Sequence, residues 1–182
     1  GSVKRDLKNI VYDVRKRFRI SDSRCVPHIA LVYAPNPVNG PSDESKLIRD
    51  FAFVCSRQPI MEYEFSNFGP FLEAGVVKVN INADQKMQNF RIALIHQLKA
   101  YCHLEKRFDL KEPYSPHATI AMKLQQSQVE KILKYLNRND SLKKHYFLSR
   151  ATLLKDSKIL YEYDFFLRRL LNRRQAKSKW IQ

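Results

Sequence analysis

The feature that most constrains this chain is a repeat. Pro27-His28-Ile29-Ala30-Leu31 and Pro116-His117-Ala118-Thr119-Ile120 each open a strand-like segment. Each is followed by a helical stretch and two further strand-like segments, once from Pro27 to Ile81 and again from Ser115 to Phe166. A unit used twice predicts an α+β fold of two pseudo-symmetric lobes, each a small antiparallel sheet with helices. Two such lobes are expected to flank a central cleft, a natural place for a ligand.

Hydrophobic periodicity supplies the elements. Val3, Leu7, Ile10, Val11, Val14 and Phe18 recur at helical spacing, with Lys and Arg on the other face, which predicts a helix over 3–18. A polar turn at Ser21-Asp22-Ser23-Arg24 leads into a strand from Pro27 to Tyr33. The segment Ala34 to Ser42, with three prolines and Asn39-Gly40, reads as a loop. Leu47, Ile48, Phe51 and Cys55 share one face of a helix over 43–57. Strands are expected at Tyr63 to Phe68 and Gly75 to Ile81, with Gly69-Pro70 breaking the first. Asp84 is placed to cap a helix whose apolar face carries Phe90, Ala93, Leu94, Leu98 and Tyr101. A strand over Ser115 to Lys123 follows. Then come a capping box at Ser127-Gln128-Val129-Glu130 and a helix through Val129, Ile132, Leu133 and Leu136. Tyr146 to Leu154 and Ile159 to Phe166 close the pattern as a hairpin around Lys155-Asp156-Ser157-Lys158. The bilobal domain is expected over 3–170, with a basic tail over 171–182. The opening Gly1-Ser2 reads as a cloning remnant and is left out of the expected fold.

Side chains alternate across a strand, so His28 and Ala30 share one face, and His117 and Thr119 another. Ile29, Leu31, Ala118 and Ile120 are left to bury. Across a pseudo-twofold axis the two imidazoles are expected to face each other. Such a pair suits phosphoryl chemistry: one ring takes the proton of the attacking hydroxyl or water, and the other protonates the leaving oxygen. The Thr119 hydroxyl, two residues after His117, is placed to donate to a phosphoryl oxygen. Lys123 stands at an even offset from both and is expected to contact phosphate as well.

Charge points to the partner. The chain carries 33 Lys+Arg against 18 Asp+Glu, a formal net charge of +15, which favours a polyanion through Coulomb attraction and counterion release. No stretch of about 20 apolar residues is present, so no transmembrane helix is expected. Cys25, Cys55 and Cys102 are few, odd in number and widely spaced, without a zinc pattern. They favour a reducing, cytoplasmic setting, and no metal or cofactor is expected.

The two motifs together resemble the two-histidine phosphoesterase superfamily, in its 2′-5′ RNA ligase or RNA 2′,3′-cyclic phosphodiesterase branch. Phe65-Ser66-Asn67-Phe68-Gly69-Pro70-Phe71 with Val76-Val77-Lys78-Val79 is similar to the family's segment between motifs. Ile159-Leu160-Tyr161-Glu162-Tyr163-Asp164 is similar to archaeal-type members. The resemblance covers Val3 to Leu170. It implies a bilobal α+β fold and metal-independent chemistry on RNA 2′,3′-cyclic phosphate ends or 2′-5′ linkages. It carries His28 and His117 over as catalytic residues and Thr119 as a phosphate-binding one. Ala30 departs from the pattern, standing where the first motif expects Thr or Ser. Met122-Lys123 departs too, since relatives often place Arg one residue earlier.

His96, His103 and His145 are expected to be structural or surface residues, while Glu162 and Asp164 are candidates to orient a histidine. Arg168, Arg169, Arg173, Arg174, Lys177 and Lys179, with Trp180 beyond, suit single-stranded RNA by phosphate contact and base stacking, the alternative being a frayed, solvated basic tail. The sequence therefore predicts a monomeric enzyme acting on an RNA or nucleotide with a cyclic phosphate or 2′-5′ linkage. The alternative is an RNA-end or nucleotide-binding protein whose site is weakened at Ala30.

Overall fold

A computed structural model describes residues 2–20, 27–34, 36–37, 44–138, 145–156 and 158–178. The Ser21-Asp22-Ser23-Arg24 turn, Cys25, Asn39-Gly40, Lys179 and Trp180 lie outside the described residues. The elements in chain order are α1 (Ser2–Phe18), β1 (Asn36–Pro37), α2 (Glu44–Ser56), β2 (Glu62–Phe71), β3 (Val76–Ala83) and α3 (Gln85–Leu98). They continue with β4 (Cys102–His103), β5 (His117–Ala121), α4 (Gln126–Arg138), β6 (His145–Phe147), β7 (Arg150–Lys155), β8 (Lys158–Asp164), β9 (Arg169–Asn172) and α5 (Arg173–Lys177). This is the expected α+β class, and the chain divides into two compact units, each with sheet and helices.

The first unit comprises Gly1–Ala30, Glu64–Asn82 and Ser115–Tyr146. Its sheet has the order β5-β3-β2-β6. One face is apolar: Phe65, Phe68, Val77, Val79, Ile81, Ala118 and Ile120 are all buried. The helices bring matching stripes, Leu7, Val11 and Val14 on α1 and Val129, Ile132 and Leu136 on α4, and α1 packs on both β5 and α4. Fully burying a Val, Leu, Ile or Phe side chain contributes about 1.5–3 kcal/mol each, so this layer fixes which face of the sheet is left for chemistry. The start of α4 differs from expectation. Gln128, rather than the foreseen Ser127 and Glu130 pair, caps it by accepting the Gln125 N–H at 2.9 Å.

Two strand expectations in this unit fail. β2 runs straight through Gly69-Pro70 to Phe71. Its outer neighbour β6, described over His145–Phe147, meets β2 near Glu64, where His145 Nε2 lies 3.6 Å from the carboxylate. Pro70 itself is exposed. β5 ends at Ala121 rather than Lys123. Its register on β3 shifts between Lys78↔Thr119 and Val77↔Ala121, so β5 holds one extra residue there and the in–out alternation reverses.

The second unit comprises Leu31–Tyr63, Ala83–Tyr114 and Phe147–Gln182. α2 packs on α3 and on the β7-β8-β9 sheet, while β1 pairs with β4. Asp84 caps α3 as expected, accepting the Met87 N–H at 3.0 Å. The buried Asp109 carboxylate accepts the N–H groups of Tyr33, Ala34 and Glu105 and so ties down the chain after the first motif. The expected strand from Tyr146 to Leu154 is two strands, β6 in the four-stranded sheet and β7 in the three-stranded one. The expected basic tail begins inside β9, and α5 follows with a capping box between Asn172 and Gln175. The Arg168 guanidinium donates to the carbonyls of Ser56 and Gln58, so this arginine of the basic run is used structurally.

Gly75 closes the β2–β3 hairpin at φ 58, in the left-handed region, and a Cβ there would collide with the Leu124 carbonyl. Gly75→Ala should lower unfolding stability by at least about 1–2 kcal/mol, the usual cost of left-handed backbone for a residue with a Cβ. Denaturant titration of the two proteins checks this, and an unchanged midpoint would refute the strain.

Candidate active site

Pairing of the two motifs builds the site. Within the first unit, Ile29 and Ala118 form an antiparallel bridge. On the other side of β5, Ala118 pairs with Val79, Thr119 with Lys78 and His117 with Asn80. Ile29, Ala118 and Val79 therefore project together into the core side of the sheet, where Ala118 and Val79 are fully buried. Alternation sends the residues flanking them to the opposite face. Across that face one row reads His28, Thr119, Lys78, and the next reads Ala30, His117, Asn80. The two histidines thus sit on adjacent segments of one unit. This corrects the expectation that each lobe carries one and that they meet across a pseudo-twofold axis. The first motif makes only the isolated bridge at Ile29 rather than the expected full strand.

The His117 ring presents a nitrogen that can accept a proton. Its Nδ1 lies 3.0 Å from the Ser115 carbonyl oxygen, which can only accept. Nδ1 therefore carries the hydrogen of the neutral ring, and Nε2 presents a lone pair. Burial pushes the His117 pKa below the usual 6.5; the Ser115 hydrogen bond opposes this, while the nearby Lys78 and His28 charges add to the lowering. The Phe71 ring meets the imidazole edge-on, with centroids 4.9 Å apart, and restricts its rotation.

The structure adds residues that the sequence-based site lacked. Lys78 is only 7% exposed, and burial lowers its pKa. Its Nζ sits 4.4 Å from the centroid of the Phe71 ring and donates to Asn80 Oδ1. The Asn80 amide in turn donates to Asn67 Oδ1 at 3.0 Å, and Ser66 Oγ donates to the same oxygen at 3.1 Å. The signal for this row was present in Val76-Val77-Lys78-Val79-Asn80-Ile81. There the polar residues fall at one strand parity and the buried valines and isoleucine at the other.

Lys123 fares differently. It follows β5, is exposed, and has φ 59, so strand alternation no longer places it beside Thr119. His96 and His103 are exposed in the second unit, and the exposed His145 pairs with Glu64. Glu162 and Asp164 do not orient a histidine. Arg150 binds both, at 2.8 and 3.1 Å, while Thr152 donates to Glu162 and the Phe166 and Leu167 N–H groups to Asp164. Among the described residues, no group of three or more His, Cys, Asp or Glu could hold a metal ion, and no helix is long and apolar enough to cross a membrane.

A family model for the 2′-5′ RNA ligase superfamily matches residues 3–158, and the chain belongs to that superfamily. The match spans both histidine motifs and the strand carrying Lys78. No curated protein matches the chain.

The lowered pKa of His117 carries a stability consequence. Between the native value and 6.5 the unfolded chain binds the proton more readily than the folded one. The His117 contribution is therefore complete above about pH 6.5 and is lost as pH falls through the native pKa. Denaturant titrations from pH 7.5 down to 5 should show wild type losing more stability than His117→Gln. Equal slopes would contradict the lowered pKa.

Proposed function

We propose that this protein is a phosphodiesterase of the two-histidine type. It acts on RNA 2′,3′-cyclic phosphate ends or 2′-5′ phosphodiester linkages, with His117 and His28 as its acid–base pair. The observation that carries this reading is the cross-strand arrangement of His28, Thr119 and His117 on one exposed-side face, above a buried apolar layer. In cyclic-phosphate opening, His117 Nε2 takes a proton from water as the water oxygen bonds to phosphorus. One ring P–O bond then breaks, and protonated His28 gives its proton to the departing ribose oxygen. Thr119 Oγ donates to a non-bridging oxygen, where charge accumulates in the transition state. When a ribose hydroxyl replaces water, the same steps join two RNA ends; in the reverse direction the histidines exchange roles. Two imidazoles and hydrogen-bond donors suffice for this proton transfer, so the reaction proceeds without a metal. The net charge of +15 supports an RNA substrate, since it draws in a phosphate backbone.

Ala30 favours a second reading, an RNA-end or nucleotide-binding protein with a weakened site. Alanine has no hydroxyl to donate beside His117. The two readings differ in turnover. The enzyme releases a 2′- or 3′-monophosphate end, whereas the binding protein holds the cyclic end unchanged.

With an RNA oligonucleotide ending in 2′,3′-cyclic phosphate, His28→Ala and His117→Ala should each reduce turnover by about 10²–10⁴, and Thr119→Ala by about 10²–10³. Chromatographic resolution of the end groups reads the result. Full activity in either histidine variant would rule out the mechanism.

A further inference from the structure

The phosphodiesterase reading leaves a deficit at Ala30, and Lys78 answers it. We infer that Lys78 is a phosphate-binding residue of this site. In this inference the Lys78 ammonium supplies, from the opposite flank of β5, the stabilisation of phosphoryl charge that Ala30 does not. The inference rests on the proposed function above but is tested separately from it.

Register is the first support. Lys78 is the direct cross-strand partner of Thr119, the donor of the second motif, and Asn80 is the partner of His117. Lys78 therefore belongs to the reacting face by backbone pairing alone. The second support is the direction of its side chain. Nζ donates to Asn80 Oδ1 and lies against the Phe71 ring, and both of these groups neighbour His117. The ammonium thus leans along the sheet toward the His117 row.

Energetics give the third support. Lys78 has no carboxylate partner among the described residues; it meets an amide oxygen and an aromatic face instead. A buried ammonium with only neutral partners costs folding free energy. The second unit shows how this chain pairs its half-buried and buried arginines. Arg150 has two carboxylates, and Arg91 has Glu112 and the Asp109 carbonyl. Lys78 has been left with the capacity to meet an anion. A phosphoryl group between the histidines carries that charge, and its charge increases at the oxygens in the transition state. The ammonium keeps its proton throughout and acts as a hydrogen-bonding cation. The cradle is therefore asymmetric, with Thr119 and Lys78 side by side on neighbouring strands. In the pattern the motifs imply, two hydroxyls are related across the histidine pair.

The test uses the full chain and Lys78→Met, which keeps the shape of the stem and removes the charge. Its probes are an RNA oligonucleotide with a 2′,3′-cyclic phosphate end and the corresponding monophosphate-ended product. Expected are a loss of about 10²–10³ in kcat/KM, at least about tenfold weaker product binding by calorimetry, and a thermal midpoint equal to or above that of wild type. Activity and stability moving in opposite directions is a result that a structural role would not give. Ala30→Thr should raise kcat/KM by a larger factor in the Lys78→Met background than in wild type, because it restores a donor where one is missing. Unchanged kcat/KM and product affinity in Lys78→Met would overturn the inference. So would a thermal midpoint that falls together with activity. The binding arm separates the two proposals. Full turnover in His117→Ala, with weakened product binding in Lys78→Met, would remove the proposed mechanism and leave the phosphate contact standing.

Discussion

The site depends on the backbone pairing of one small buried residue. Ala118 is bridged by Ile29 on one side and by Val79 on the other, and its side chain is fully buried. A slip of one residue in either pairing would turn His28 or His117 into the apolar layer and bring Ile29 or Ala118 to the surface. Leu7, Val11 and Val14 of α1 and Val129, Ile132 and Leu136 of α4 supply the apolar surface that makes such a slip costly. The hydrophobic side of the sheet thus specifies the geometry of its polar side, although none of those residues takes part in chemistry.

The two units use buried charge in different ways. In the second, Arg150 is neutralised by Glu162 and Asp164, and Asp109 has its oxygens occupied by backbone N–H groups. These groups hold strands and loops in place. In the first unit, Lys78, Asn80, Asn67 and Ser66 form a chain of mostly neutral partners ending in a cation. Burial, with neighbouring positive charge, lowers the pKa of His117 beside it. On the proposed reading, one face therefore combines a proton acceptor with a cation for the phosphoryl group, the pairing that phosphoryl transfer uses.

Much of the fold was legible because its signals are local. The helical stripes of α1, α2, α3 and α4, the Asp84 cap and the alternation of the motifs all lie within a few residues of one another. The errors arose where the deciding partner is distant in sequence. β9 was hidden in a basic run because Arg168 and Arg169 read as solvated tail, yet Leu171 is buried and Arg168 is bound by carbonyls of the Ser56–Gln58 segment. Lys123 was placed by counting along a strand that ends two residues earlier, after an extra residue reverses its alternation.

By itself, the sequence determined that His28 and His117 stand on extended segments with apolar residues between the polar ones. It also determined that the chain is strongly basic and that Ala30 breaks the symmetry of the two motifs. Side-chain alternation and charge are properties of consecutive residues, and no folding is needed to read them. Only the tertiary structure decided that the two motifs are antiparallel neighbours within one unit, and that Lys78 and Asn80 complete the face they share. Strand register is set by burial of apolar residues far apart in the chain, so the neighbours of an active-site histidine are chosen by the core beneath it.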